Sequence, residues 1–388
     1  MRRFSWLVAV FAVLGMSLGV VLLSGCDSGG PSEIKVGIIE DLSGATSAWG
    51  EGLQNGAIYA IEKINKEGGL LGKQIKYTSY DFKGNVPESL TAYNRLVDQD
   101  KVVAVIGTPN SAMHIALAPL ADEKKVPVIG DPMDERATTP EANKVNAYTF
   151  LGEPAAGEQA RAIASYTLNE MKLKKVAILF DQGNPYSVSL ATPFAEYFSK
   201  NGGQVVANEP FQSGTNDFRA QLTKIKQSSP EVLHITSYLK ENSLIVAQMR
   251  ELGMNIPVVG NNSCFYPFAE TAGKDAEGVV FPNNISLDDP RYQDYISGYK
   301  ARFGKDPVVH AWMGYDNMMI LANAIKKANK IDSVAIRDAI ENQTKDVQGM
   351  TDKITIDPKT HRPVNLPLAI LQVKDGKYAT LKASYLPK

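Results

Sequence analysis

Cysteine is nearly missing from this chain: 388 residues hold two, Cys26 and Cys264. A disulfide-stapled scaffold is thereby excluded, and stability has to come from packing. Histidine is scarce as well. His114, His234, His310 and His361 show no i, i+4 pair and no C-x-x-C-type clustering, so no metal site is expected. Neither sign of charge is in excess: 41 Lys and Arg against 42 Asp and Glu leave a formal net charge of -1. A nucleic-acid partner would call for a basic face, and none is expected here. No G-x-S-x-G elbow occurs. The stretch Gly68-Gly69-Leu70-Leu71-Gly72-Lys73 has Glu67 where a phosphate loop needs its first Gly and Gln74 where it needs Ser or Thr, so it reads as a turn. Without a nucleophile–base pair, a metal cluster or a cofactor loop, neither catalysis nor a cofactor is expected.

Long apolar runs are also lacking, with one exception. Arg2-Arg3 precedes a nearly unbroken apolar stretch, Phe4 to Leu23, which ends in Leu22-Leu23-Ser24-Gly25-Cys26. That ending resembles the lipobox of bacterial lipoproteins, and it implies cleavage before Cys26 and diacylglycerol on its sulfur. A plain signal anchor of about twenty residues and a conventional secretory cut are the alternatives. Residues 1–25 are thus expected to be a signal peptide. Residues 26–33, with Ser28-Gly29-Gly30-Pro31-Ser32, are too polar and glycine-rich to bury a core and form a flexible tether. The expected location is extracytoplasmic, with the lipid anchoring the protein to a membrane. If Cys26 is lipidated, Cys264 has no intramolecular partner.

The remainder is too long for one ordinary core and suits two domains. Short β-branched runs alternate with amphipathic stretches, the pattern of strands covered by helices on both faces, and the fold class is α/β. Strands are expected at Ile34 to Ile39, Gln74 to Tyr80, Val102 to Gly107 and Val126 to Gly130, with helices at Gly56 to Lys66 and Ser111 to Lys124. After Phe150 the alternation restarts with strands at Val176 to Phe180, Gln204 to Ala207, Val232 to Thr236 and Ile256 to Gly260. Three helical stretches from Tyr292 to Asn342 then follow without a strand between them, as if the chain returned to the first lobe. The tail ends in a hairpin around Lys374-Asp375-Gly376-Lys377. The predicted architecture is two doubly wound lobes, residues 34–150 plus 283–348 and residues 151–282 plus 349–388.

Open α/β sheets bind ligands at the carboxyl ends of their strands, and polar and aromatic residues gather in the loops expected there. In Gly107-Thr108-Pro109-Asn110-Ser111, Ser111 opens a helix; it can offer its hydroxyl and free backbone N–H groups to an anion, or serve as an N-cap and nothing more. Trp49, Tyr186, Tyr238 and Phe265 could wall a small ligand, although each alone is a common core residue. Pro132-Met133-Asp134-Glu135-Arg136 is a polar cluster following an apolar strand, in which Glu135 and Arg136 are expected to pair.

In their order these residues resemble the leucine/isoleucine/valine-type periplasmic binding proteins, essentially from Ile34 to the C-terminus. The resemblance rests on Ile34-Lys35-Val36-Gly37-Ile38 with Asp41-Leu42-Ser43-Gly44, Asn55-Gly56-Ala57, Gly68-Gly69, Tyr80-Asp81 and Val105-Ile106-Gly107. It continues in Val176 to Asp181, Asp217 to Leu222 and Gly314-Tyr315-Asp316. It implies lobes joined by three crossings, near Phe150, Pro282 and Gly349, which close on a small solute and deliver it to an ABC permease. A monomer is expected. Ser111, beside Asn110, matches the family's carboxylate-binding serine, and Trp49, Tyr186 and Tyr238 match aromatic positions around the ligand.

Two departures bear on the ligand. After Pro132-Met133, Asp134 stands where the family has a Thr that helps hold an α-ammonium, and Asn262 stands where the second lobe has its acid. The expectation is that Asp134 replaces that acid as counter-ion to an amino-acid ammonium, with a branched-chain amino acid favoured. An amide, a urea or an aromatic acid is the alternative. A sensor lobe of the same fold is expected to carry a transmembrane helix and signalling domain after the lobes, and the sequence runs to Lys388 without one.

Overall fold

The computed structural model describes residues 33–287 and 289–388. The apolar leader, Cys26 and nearly all of the expected tether lie outside the described residues. No described helix is long and apolar enough to cross a membrane.

The first lobe is built in chain order from β1 (Ile34–Glu40), α1 (Ser47–Lys66), β2 (Ile75–Asp81), α2 (Val86–Arg95), β3 (Ala104–Ile106), α3 (Ser111–Lys124), β4 (Val128–Gly130) and β5 (Thr149–Leu151). All five strands are parallel in the order β2-β1-β3-β4-β5. β1 is buried on both faces except at Lys35, as expected of a strand covered by helices on each side.

The start of α1 differs from the sequence reading, which began the helix at Gly56. The Asp41 carboxylate accepts from Gly44 N at 2.5 Å, Thr46 N at 2.9 Å and Thr46 Oγ1 at 2.7 Å. That turn lets the helix begin at Ser47, so Trp49 sits on its first turn and not in a loop. Gly50, Gly52 and Gly56 obscured the helical pattern. α2 was not anticipated either. Its start is marked by Asn85, whose side chain accepts from Glu88 N, and by Pro87 in the first turn.

The second lobe follows with α4 (Ala156–Asn169), β6 (Lys175–Asp181), α5 (Pro185–Lys200), β7 (Gln204–Phe211), α6 (Arg219–Gln227), β8 (Val232–Thr236), α7 (Leu239–Glu251), β9 (Val258–Val259), α8 (Phe268–Ala272) and β10 (Val280–Asn283). The chain then returns through α9 (Pro290–Phe303), α10 (Val309–Ala328) and α11 (Ser333–Gln343). Short strands β11 (Val347–Gln348), β12 (Lys353–Ile354), β13 (Ile356–Asp357) and β14 (Arg362–Pro363) precede β15 (Leu368–Lys374) and β16 (Lys377–Tyr385). The second sheet has the order β16-β15-β10-β9-β8-β6-β7. β6 to β10 run parallel within it, and β15 and β16 add antiparallel at the β10 edge.

α10 lies directly on α1, as the strand-free stretch implied. The approach is backbone to backbone: a Cβ on Gly56 would stand 1.7 Å from the Ala311 carbonyl oxygen, and one on Gly314 would stand 2.0 Å from that of Leu53. Leu53, Ala57, Trp312, Tyr315 and Met318 share one buried core there.

The chain passes between the lobes after β5, after β10 and before β15. The third passage comes later than Gly349. Leu151 N donates to His361 O at 3.0 Å, and Arg362 binds Thr139 Oγ1 at 2.7 Å and Glu135 Oε2 at 3.1 Å. The β13–β14 ribbon therefore stays with the first lobe, and only from Leu368 does the chain join the second sheet.

Candidate functional site

A cleft of about 470 Å³ between atoms, its mouth included, is lined from the first lobe by Trp49, Pro109, Asp131 and Met133 and from the returning α10 by Val309 and His310. From the second lobe come Tyr186, Tyr238, Leu239 and the segment Asn262 to Pro267, except Cys264.

Its walls are aromatic. Trp49 meets Tyr238 edge-on at 5.1 Å between ring centroids and stacks on His310 at 5.3 Å. Tyr186 stacks on Tyr238 at 5.5 Å and 15°. The indole on α1 thus touches the other lobe through a ring at the start of α7, and the Tyr186–Tyr238 pair is a rigid, apolar wall with few rotatable bonds. Asn184 caps α5, its Oδ1 accepting from Tyr186 N at 3.1 Å. The Tyr186 hydroxyl donates to Asn262 Oδ1. Asn262 is therefore oriented by its own lobe, with its carbonyl engaged.

Ser111 is buried at the first position of α3. The N-cap of that helix is Asn110, whose Oδ1 accepts from Met113 N at 3.2 Å, and not Ser111. Ser111 Oγ accepts from Asp134 N at 3.2 Å and keeps its own hydroxyl proton to donate. Asn110 itself borders a neighbouring depression with Asp181, Asn184 and Tyr238. Pro132 is buried in the turn after β4, between the cleft residues Asp131 and Met133.

Asp134 is engaged within its own loop. Its carboxylate takes Arg136 N and Nε on Oδ1 at 2.9 and 3.0 Å, and Arg136 Nη2 on Oδ2 at 2.5 Å. It borders a separate surface depression with Glu135, Arg136 and Glu196. An acid already engaged by a guanidinium in this way is a poor counter-ion for anything else, and Arg136 pairs with it in place of Glu135. The acid at the cleft is Asp131.

Asp131 is one of four buried carboxyl groups among the described residues at the carboxyl ends of β1, β4 and β5. Glu40 ends β1 and Asp41 follows it, Asp131 follows β4 and Glu153 follows β5; each is at most 1 % exposed. Asp131 Oδ2 accepts from Asn317 Nδ2 of α10 at 2.7 Å, and Glu153 Oε2 accepts from Asn284 Nδ2. Burial pushes the Asp131 carboxyl up to about 8, with the charge of Asp316 adding to the shift and Asn317 opposing it. Burial, then the charge of Asp131, raises both Glu40 and Glu153 well above the usual carboxylate range. His310 is moved the other way, down to about 3, because burial disfavours its cation. Sequence reasoning missed Asp131, Glu153, Glu40, Asn317 and His310. A signal was available in Glu40-Asp41, two acids directly after the apolar run Val36-Gly37-Ile38-Ile39. Among the described residues no group of His, Cys, Asp and Glu is arranged to hold a metal ion. Cys264 is buried, and burial pushes its thiol up to about 12.

The family profile described as periplasmic binding protein matches residues 33–377. A Leu/Ile/Val-binding protein homolog of Brucella melitensis is 28% identical over 80% of this chain and 84% of its own length. The crystal structure of the branched-chain amino acid transporter substrate-binding protein LivJ from Streptococcus pneumoniae, in complex with isoleucine, superposes with a TM-score of 0.80 at 30% identity, covering 90% of this chain and 99% of that one. A leucine-binding protein from Thermotoga maritima gives a TM-score of 0.81 at 27% identity over 91% and 98% of the two chains. With two doubly wound lobes, three passages between them and an aromatic cleft at the strand ends, the chain belongs to the periplasmic binding protein family.

Proposed function

We propose that the chain is the extracytoplasmic solute-binding component of an ABC importer, anchored through lipid on Cys26, which closes its lobes on an amino acid and hands it to a permease. The observation that carries this reading is the meeting of Trp49 from one lobe with Tyr238 and Tyr186 from the other across a single cleft. Such walls fit a small, partly apolar solute. The Ser111 hydroxyl, with N–H groups in the first turn of α3, supplies donors and the positive end of a helix dipole for a carboxylate. The relatives' names favour a branched-chain amino acid. In this reading the first lobe comprises residues 34–150 plus the returning stretch from residue 283, the second begins at residue 151, and the protein works as a monomer.

A solute without an ammonium, such as an amide, a urea or an aromatic acid, is the second reading. Asn262 favours it, because the acid expected there is an amide with its carbonyl bound to Tyr186.

Thermal-shift screening of the purified protein tests the reading, since a bound solute raises apparent stability by mass action. Trp49→Ala removes two ring contacts worth about 0.5–1.5 kcal/mol each beyond buried area, so calorimetric affinity for the solute found should fall roughly tenfold. Unchanged affinity would place the solute elsewhere.

A further inference from the structure

Asp131 at the cleft and the buried carboxyls that act on it or are acted on by it have too many acceptors for the donors around them. Asp131 Oδ1, Glu153 Oε1 and both oxygens of Glu40 have no hydrogen-bond partner. The charged groups that act on them are other carboxylates: Asp131 on Glu40 and Glu153, Asp41 on Glu40, and Asp316 on Asp131. A separate observation points to a ligand. Asn317, wholly buried on α10, spends its amide N–H on Asp131 Oδ2 and leaves its carbonyl oxygen without a donor. That oxygen and Asp131 Oδ1 converge over Gly152, at 1.7 and 3.2 Å from the point where a Cβ on Gly152 would stand. An amide carbonyl beside a carboxylate oxygen, both buried and both without donors, asks for a group that carries several N–H bonds and positive charge.

We propose that Asp131, with Glu153 and Glu40 behind it and the Asn317 carbonyl beside it, receives the positively charged ammonium or guanidinium group of the solute, and that seating this group drives one carboxyl proton into solvent. The inference rests on the cleft being the solute site. It puts the charge recognition on the first lobe and the first passage, and not on the second-lobe position held by Asn262. In the step one carboxyl O–H ionises, its proton leaves to solvent, and the carboxylate that remains pairs with the solute cation. Asp131 is the ionising group, because it stands at the cleft and titrates near 8, so it is mostly protonated at pH 7. The other titratable groups facing it are Glu40 and Asp41 from the end of β1, Glu153 after β5, and Asp316 and His310 from α10. His114 packs under Gly130, and Tyr186 faces Glu153 from α5. His310 and His114 are held neutral by burial, at about 3 and about 4, and supply no competing cation near neutral pH.

Calorimetry of the full chain with L-leucine, L-arginine, agmatine, acetamide and benzoate, in two buffers of different ionisation enthalpy, tests this directly. The solutes that bind should carry an ammonium or guanidinium, release about one proton at pH 7, and bind on the order of tenfold more tightly per pH unit from 6 toward 8. Leucine binding alone would assign the α-ammonium, whereas agmatine binding would assign a guanidinium or terminal amine. Asp131→Asn should abolish proton release and weaken binding at least tenfold, whereas Asp134→Asn, next to Arg136, should change neither. Benzoate or acetamide binding more tightly than every cation would overturn the proposal, as would a heat identical in both buffers. If Asp131→Asn does not fold, the buffer dependence of the unaltered protein decides. A solute lost on Trp49→Ala but bound without proton release leaves the functional reading standing and removes this inference; no binding by any of the five probes removes both.

Discussion

Replacing Gly56 by alanine sets two effects against each other at one atom. In an isolated helix the change would stabilise by about 1 kcal/mol, because glycine surrenders more backbone freedom. Here the added Cβ would lie 1.7 Å from the Ala311 carbonyl oxygen and 2.6 Å from its carbon. The obstacle is the backbone of α10, which no rotamer change can move aside. The helices must part by more than about 1 Å to restore van der Waals separation, and that thins contacts along the whole Leu53–Ala57–Met318 seam. Overpacking of this kind costs about 1–3 kcal/mol and occasionally more. The upper end applies when backbone opposes the new atom, so Gly56→Ala should lose about 2 kcal/mol net. Gly157→Ala is the matched comparison. It sits in the first turn of α4, and its Cβ would meet Glu135 Oε1 at 2.5 Å and Arg161 Nη1 at 3.1 Å, both the ends of flexible side chains. It should range from neutral to stabilising by up to about 1 kcal/mol. Urea unfolding followed by circular dichroism measures both. A Gly56→Ala protein as stable as its parent would refute the reasoning.

Acidity should act on stability through Asp131. Asp131 titrates near 8 when folded and near 4 in an unfolded chain, so its contribution is full at low pH and is lost as pH rises through 8. The buried histidines, depressed when folded, act only as pH falls below about 6.5, their unfolded value. Between pH 6.5 and 8 stability should therefore fall, by about 2 kcal/mol from Asp131 alone, and Asp131→Asn should flatten that slope in urea titrations; a flat profile in the unaltered protein would contradict the assignment. Cys26→Ser should shift the protein out of the membrane fraction or block its processing, and unchanged mass and partition would rule out the lipid anchor. X-ray scattering should show a smaller radius of gyration with a saturating solute than without it, and equal radii would count against lobe closure.

The positions of the central strands were legible because strands covered on both faces must be short runs of apolar, β-branched residues, and Val36, Val105 and Ile178 stand in such runs. α10 lying on the first lobe was legible from the missing strand between helical stretches. The start of α1 was hidden, because Gly50 and Gly52 read as loop until the side chain of Asp41 is seen to organise the turn. That Trp49, Tyr186 and Tyr238 come together was legible from residue type and position after strands. The partners of the two loop acids were not: Asp131 and Asp134 are three residues apart in one loop, and only packing shows that Arg136 claims the second while α10 delivers Asn317 to the first. Glu153 escaped for a similar reason, since its partner Asn284 arrives from another passage of the chain.

The passages between the lobes are tied to the body and to one another. Asn284 on the second grips Glu153 on the first. Asp316 of α10 holds Met350 N, Thr351 N and Thr351 Oγ1 where the chain sets out toward the third, and His361 Nδ1–H donates to the Thr149 carbonyl of β5 while the ring stacks on Phe150. Three short straps fastened to neighbouring points behave like the leaves of a door hinge: bending about one axis is soft, whereas twisting or sliding would stretch at least one strap. If the lobes close on a solute as proposed, the unliganded lobes should explore an arc and not a volume of mutual orientations. Little orientational freedom would then be surrendered on closing, and a larger share of the contact energy in the cleft would survive as affinity.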